Sequence, residues 1–542
     1  MAHETWSAET PMIESLLSAF ERGALSRREF LRRAGLLGLT AAGAGALADA
    51  AAPVGALAQT TQKREVVVAQ GGDVSKFDPH FSTSSNDIRV SFNVFDNLTS
   101  RHPDQKLYPS LATEWKATGP TTWTFKLRPG VKWHNGDPFT AADAKFSIDR
   151  TFDPAAKTMV ATVFTTIDRI ETPDPLTLVV HTKKSDPLLP DRLAFYGGQI
   201  VPKKYLEDVG PDTFNTKPVG TGPLKLSSWT KDDKAVFEGF ADYWGGKIDA
   251  DRVVFRPIPE TAPRVAALLK GEVDAMTQLP SDHWDRVNQN ATTRGVGALY
   301  AGLYVLGINA KNPPLNNEQV RRAMSLAVDR ESIVKEMYRG RAIVPNGPIA
   351  QGDRFYDTSL SPLRFDPKEA RELVKKSGYK NEPIIIETTI GYVAQDKAMS
   401  EAIVAMWKDV GLNAAVEVVE YSVRAEKNRN KTFKGLWWSD PTSTLRDPDG
   451  MMWRLLAPNG PQDYYRDPEW DELGNAARFS LDEKFRAEAY RKMTKIMLDK
   501  AFGWVIIMQP YEDYGLQKFV DFTPNPNQQF EVRRFNLKLR RA

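Results

Sequence analysis

The run 111–150, LATEWKATGPTTWTFKLRPGVKWHNGDPFTAADAKFSIDR, passes from strand-like to helix-like patterning, so the chain must fold strands and helices together. Trp123, Phe125 and Leu127 alternate with Thr124, Lys126 and Arg128, the period-two signature of a strand with one buried face. Pro129 and Gly130 turn the chain, and Val131 and Trp133 open a second short strand, so the two read as a hairpin. The polar cluster His134, Asn135, Gly136, Asp137 and Pro138 ends it, because proline cannot donate to a strand ladder. A helix is expected next. Thr140, with Asp143 three residues on, has the spacing of a capping box, which satisfies amide groups that the first helical turn leaves unpaired. Taken alone, His134 and Asp137 are turn residues, and the hairpin performs no chemistry.

The wording of this run resembles the extracytoplasmic solute-binding proteins of ABC transporters, in the large peptide/nickel class. The likeness rests on the LA..W entry, TFKLRPGVKWHNGDPF and the following A.D..FS..R. It resumes in ordered blocks between about residues 65 and 518: P.GTGP..L..W from Pro218, DYWGG from Asp242, RRAMSLAVDR from Arg321, and FDP..A..L....GY from Phe365. The resemblance implies a two-lobed α/β clam of the type II periplasmic-binding-protein kind, with an extra subdomain inserted in the first lobe. The first lobe would comprise 59–80, 206–307 and 504–542, the inserted subdomain 81–205 and the second lobe 308–503. Two strands would cross between the lobes near Ile308 and Gly503, and the ligand would sit in the cleft they span.

Composition narrows the chemistry. Among 542 residues, 72 basic against 69 acidic side chains leave a net charge of +3, too balanced to favour nucleic acid or an anionic membrane. There is no cysteine, which removes disulfides, thiol nucleophiles and thiolate metal sites together. The histidines beyond residue 58 (His80, His102, His134, His181 and His283) are dispersed, and no HExxH or GxSxG motif occurs. Neither an enzyme, a cofactor nor a resident metal is expected.

Ser26-Arg27-Arg28-Glu29-Phe30-Leu31 matches the twin-arginine export pattern and precedes an apolar run free of charge, 34–48. Ala56, Leu57 and Ala58 then offer a small-x-small cleavage site, so residues 1–58 read as a removable signal and the product as a soluble periplasmic protein. The run is too weakly hydrophobic for a good membrane span.

Further along, strands are expected at 65–69, 273–276, 300–309, 384–386, 416–419 and 502–508. Helices are expected at 87–98, 263–269, around Val320 to Val328, after Asp329, after Asp366, at 398–410 and at 482–500.

The binding expectation centres on FKGLWWSD, 433–440. It resembles the family's strand-end motif in which Trp, two residues and Asp face the cleft. That resemblance implies that Asp440 pairs with a peptide's α-amino group, with Trp437 lining the pocket and Trp438 beside it. A carboxylate in a closed, poorly solvated cleft makes a charge-assisted bond worth roughly 1.5–3 kcal/mol to an ammonium, and indole supplies apolar area. The alternative is that Asp440 and Pro441 form a turn after a core strand whose two tryptophans are packing residues. Relative to the family pattern the loop before Asp447 is longer, and Arg446 in it either opposes a ligand carboxylate or pairs with Asp447. Tyr421 falls where peptide-binding relatives place a cleft aromatic. Ser82 and Thr83 follow the FDPH turn on a ligand-touching segment, and Tyr304 on a crossing strand is either core or site. The expected function is a solute receptor, monomeric, that captures a small organic ligand, foremost a short peptide, and hands it to a membrane ABC permease. A binder of an opine, sugar or metal chelate, or an exported hydrolase, are the alternatives.

Overall fold

The computed structural model describes Ala19 and residues 27–36, 64–82, 84–161 and 163–540. Residues up to Arg64 and residues from Glu65 onward form separate units. In the first, the helix Arg27–Leu36 carries Glu29, whose carboxylate accepts from Arg32 at 2.8 Å and Arg33 at 3.2 Å. The expected cleavage site, nearly all of the apolar run before it, and Thr83 lie outside the described residues.

The unit from Glu65 is built on a mixed twelve-stranded sheet threaded by one long strand, Trp504–Gln517. The first residues of that strand are buried on both faces. Val505 and Ile507 enter one core with Ile308, Trp407 and Trp438, while Trp504 and Ile506 enter another with Trp453, Trp470 and Tyr490. Two-sided burial is why this run is continuously apolar instead of alternating.

The long strand joins two groups of parallel strands. Its first residues, Trp504 to Met508, pair antiparallel with Tyr304–Ile308, and its last, Tyr511 to Gln517, with Thr293–Leu299. On the first side, Ile384–Thr388 lies parallel to both Ala414–Val418 and Leu436–Ser439. On the other, Glu65–Gln70 lies parallel to Arg252–Pro257 and Ala275–Met276. The chain passes between the groups at 300–303 and 509–511, several residues from the expected Ile308 and Gly503.

A separate antiparallel sheet, in the order Ala112–Gly119, Thr122–Leu127, Thr177–Thr182, Ile167–Asp174, packs with the helix Ala141–Phe152 around Phe125, Trp133, Ile148 and Leu178. The α/β class expected from the sequence holds, but the hairpin at its starting run does not. Thr122–Leu127 forms as predicted, yet both its edges are taken by Ala112–Gly119 and Thr177–Thr182. Residues 131–133 are left with a single bridge, Lys132 to Pro138, and bury Val131 and Trp133 in the local core. The next helix starts as its capping spacing predicts: Asp143 accepts from the Thr140 amide at 2.9 Å and hydroxyl at 3.1 Å.

Helices Glu318–Leu326, Pro367–Lys376, Asp396–Asp409 and Glu483–Lys500 stand where their periodicity puts them. Asp329 caps the Ser332 amide at 3.0 Å. The helix expected after it is a three-residue turn, Arg330–Ser332, running into a wider π-helical turn, Ile333–Met337. The Met337 carbonyl, at the end of that turn, accepts from the Gln395 side-chain amide at 2.7 Å. No helix among the described residues is long and apolar enough to cross a membrane.

Candidate ligand cleft

Parallel strands bring the residues beyond their carboxyl ends to one edge of a sheet, the usual place for a ligand crevice in α/β folds. Ile384–Thr388 leads to Gly391, whose φ of 84° is open to glycine, and then to Tyr392. Leu436–Ser439 ends directly at Asp440. Ala414–Val418 is followed by the helix Tyr421–Asn430, with Arg424 in its first turn. From the other group, Thr261 follows Arg252–Pro257 and Gln278 follows Ala275–Met276. These ends line two cavities of about 370 and 910 Å³. The cavities share Ser85, Tyr392, Asp440 and Gln528, so Asp440 stands at their junction.

The carboxylate is held by its neighbours. The Tyr392 hydroxyl donates to Asp440 Oδ1 at 2.5 Å. Arg424 lies 3.4 Å over the Tyr392 ring and donates to the Trp438 carbonyl at 3.0 Å. Burial pushes the Asp440 carboxyl up, while the Tyr392 hydrogen bond and the charges of Arg424 and Arg454 pull it back. Burial and the Asp440 charge raise Tyr392 well above the usual phenol range, which keeps it a donor.

On the opposite wall, Ser85 donates to Gln528 Oε1 at 2.8 Å, and the Gln528 carbonyl accepts from Arg89 Nε at 3.0 Å. Tyr300 and Thr442 share a hydrogen bond of 2.6 Å between their hydroxyls. In the larger cavity, burial pushes Glu512 up to about 7, opposed by Arg89 at 3.9 Å. Among the described residues no group of three or more His, Cys, Asp or Glu is placed to hold a metal ion.

Of the residues singled out in the sequence, Asp440 and Tyr304 line the cavities. The two tryptophans do not. Leu436–Ser439 is an inner strand between Tyr304–Ile308 and Ile384–Thr388, so its successive side chains are all buried by packing. Trp437 stacks on Phe433 with ring centres 4.4 Å apart, and the Trp438 indole donates to Ser400 at 2.8 Å.

Arg446 takes neither expected role. At a φ of 53° it turns its side chain to buried Asp353, 3.0 Å away, while Asp447 is held by Arg486 at 2.8 Å. Tyr421 is exposed, one helical turn before the cavity-lining Arg424. The Ser82 hydroxyl is bound to Asp87 at 2.5 Å, and Ser85 represents its segment on the wall. Tyr392, Arg424, Arg454 and Gln528 were not legible as site residues. The first two lie just beyond strands recognisable at 384–386 and 416–419, and the carboxyl-end position was the available signal.

The family profile described as "Bacterial extracellular solute-binding proteins, family 5 Middle" matches residues 106–463. The chain is 29% identical over 320 residues to the glutathione-binding protein GsiB of Pectobacterium atrosepticum, covering 59% of this chain and 62% of that protein. That alignment thus spans less than two thirds of the relative's length. The chain is also 26% identical over 489 residues to the dipeptide-binding protein of Escherichia coli, covering 83% and 90% respectively. Among solved structures, the periplasmic binding protein DppA from Helicobacter pylori, in complex with the peptide STSA, superposes with a TM-score of 0.77 at 25% identity, covering 89% of this chain and 100% of that one.

Proposed function

Because the chain belongs to the bacterial extracellular solute-binding proteins, family 5, we propose that it is the receptor subunit of an ABC importer, one that captures a short peptide or a similar small organic solute and delivers it to a membrane permease. Membership makes it a binding protein and not an enzyme. The observation that carries the peptide reading is the place of Asp440. A half-buried carboxylate stands where two cavities meet, oriented by Tyr392 and not consumed by an ion pair within 4 Å among the described residues. It is suited to receive an ammonium, and relatives named for dipeptide and glutathione favour a peptide-like ligand.

In this reading the two groups of parallel strands are the cores of two lobes, the chain passing from one to the other at 300–303 and back at 509–511, with 81–205 inserted in the first. The cavities form the cleft between them. The twin-arginine pattern at Ser26 to Leu31 and the site after Ala58 support export as a folded protein to the periplasm.

Incubating the purified chain with a protein hydrolysate, washing it, and identifying released small molecules by mass spectrometry tests this. Short peptides should be enriched on the unaltered chain and lost from a folded Asp440→Ala variant. No enrichment, or equal enrichment on both, contradicts the reading.

A further inference from the structure

The smaller cavity has an unusual charge balance. Its wall carries one carboxylate, Asp440, and two guanidinium groups, Arg424 and Arg454, with no other charged side chain. Neither arginine has a carboxylate within 4 Å among the described residues. The larger cavity has the opposite sign, with Asp282, Glu336, Glu512 and Asp513 beside Asp440 against Arg339 and Arg341. A ligand spanning the junction meets a cationic end and an anionic end.

Arg454 stands out from the other interior arginines. Arg330 spends its donors on the carbonyls of Ser325, Val328 and Ile506, and Arg321 on those of Leu315, Lys500 and Ala501. Arg192 and Arg486 face carboxylates. Among the described residues Arg454 makes one hydrogen bond, from Nε to the Gly450 carbonyl at 2.9 Å. That bond anchors the side chain at the start of the short helix Met452–Leu456 and leaves the outer edge of the guanidinium unspent. Arg454 is exposed and lines the smaller cavity.

The remaining polar wall suits an anion as well. Tyr196 is held neutral by burial, and Tyr300 well above its ordinary range, so both remain hydroxyl donors. Arg424 is fixed on the Tyr392 ring, close enough to influence Asp440 and too engaged to leave the cavity. A planar fork with free donors is the protein group best matched to a carboxylate.

We propose that Arg454, with Arg424 beside it, is a carboxylate subsite that sets specificity: the ligand bears one ammonium, met by Asp440, and more than one carboxylate. This rests on the receptor reading and adds the acidic character of its ligand. Within the smaller cavity, once the ligand's ammonium is met by Asp440, two guanidiniums remain, and a single carboxylate leaves one of them unanswered. An additional carboxylate removes that imbalance.

The test uses two dipeptides of matched shape, alanyl-glutamate and alanyl-glutamine, titrated by calorimetry into the unaltered chain and into Arg454→Gln. The unaltered chain should bind alanyl-glutamate at least tenfold more tightly. Arg454→Gln should erase that preference by weakening alanyl-glutamate binding far more than alanyl-glutamine binding, a split that general misfolding does not produce. A preference under threefold in the unaltered chain, or one retained in Arg454→Gln, overturns the carboxylate subsite and leaves the receptor reading standing. Binding of neither dipeptide overturns both the subsite and the peptide reading.

Discussion

The hydroxyl of Tyr392 donates to Oδ1 of Asp440 at 2.5 Å, tying together the ends of two strands that run parallel in one sheet. The bond favours the ionised carboxylate against the burial that opposes it. Ligand-ammonium affinity should therefore be full at neutral pH and fall as pH drops through the raised Asp440 pKa, above the range of an exposed aspartate. In Tyr392→Phe the fall should begin at a higher pH and the neutral-pH affinity drop by about ten- to a hundredfold, the worth of one charged hydrogen bond of roughly 1.5–3 kcal/mol. Calorimetric titrations from pH 4 to 8 check both; identical profiles for the two proteins would leave Tyr392 without an orienting role.

Arg192 is buried between Asp186 and Asp449, 2.9 Å from each, and so connects the segment before residue 205 to the loop after Asp447. Arg192→Met removes the cation, strands the buried Asp186 carboxylate and leaves Asp449 with Arg478 at 3.2 Å, which should cost about 3–5 kcal/mol of stability. Adding Asp186→Asn should recover part of the loss. Urea denaturation of both variants measures it, and a loss under about 1 kcal/mol would mean that water reaches the pair and screens it.

His134, a turn residue by its sequence setting, is a buried anchor. Its Nε2 donates to the Gly222 carbonyl at 2.9 Å, and its Nδ1 accepts from the Gly220 amide at 3.2 Å. That arrangement fits only the neutral ring, and burial pushes the imidazole down to about 4. Between about pH 6.5 and 4 the unfolded chain binds a proton that folded His134 refuses, so stability falls as pH falls through that window. His134→Gln keeps one donor and one acceptor at every pH. It should lose stability at pH 7 but flatten the decline by up to about 1.4 kcal/mol per pH unit. Thermal unfolding across the window reads the slope; an unchanged slope refutes the assignment.

The paired arginines of the export pattern predict that Arg27→Lys together with Arg28→Lys holds the precursor inside the cell. Cell fractionation decides it, and undiminished mature protein outside the cytoplasm would rule out the twin-arginine route.

Periodicity made most elements legible because each long helix has one apolar stripe and its own cap, such as Asp482 before Glu483–Lys500. It failed at 131–133, where the choice between strand and packed loop depends on whether a neighbouring edge is free. Asp440 was legible through its strand-end motif. The tryptophans beside it misled, since an indole that packs on Phe433 and one that faces a ligand share the same local pattern. Arg454 was hidden for a different reason. Nothing local distinguishes an arginine whose donors are spent from one whose donors are free, and only the tertiary surroundings of Arg330 and Arg454 separate them.

Capture of an ammonium-bearing solute by Asp440 is tested most directly by calorimetry with the tightest-binding of alanyl-alanine, alanyl-glutamine and alanyl-glutamate, titrated into the unaltered chain and into Asp440→Ala. Removing one partner of a buried charge pair costs about 3–5 kcal/mol, so the variant should bind at least a hundredfold more weakly, and the N-acetylated dipeptide should bind the unaltered chain as poorly. A folded Asp440→Ala protein whose affinity stays within threefold would contradict the account and return Asp440 to a turn at the end of a core strand.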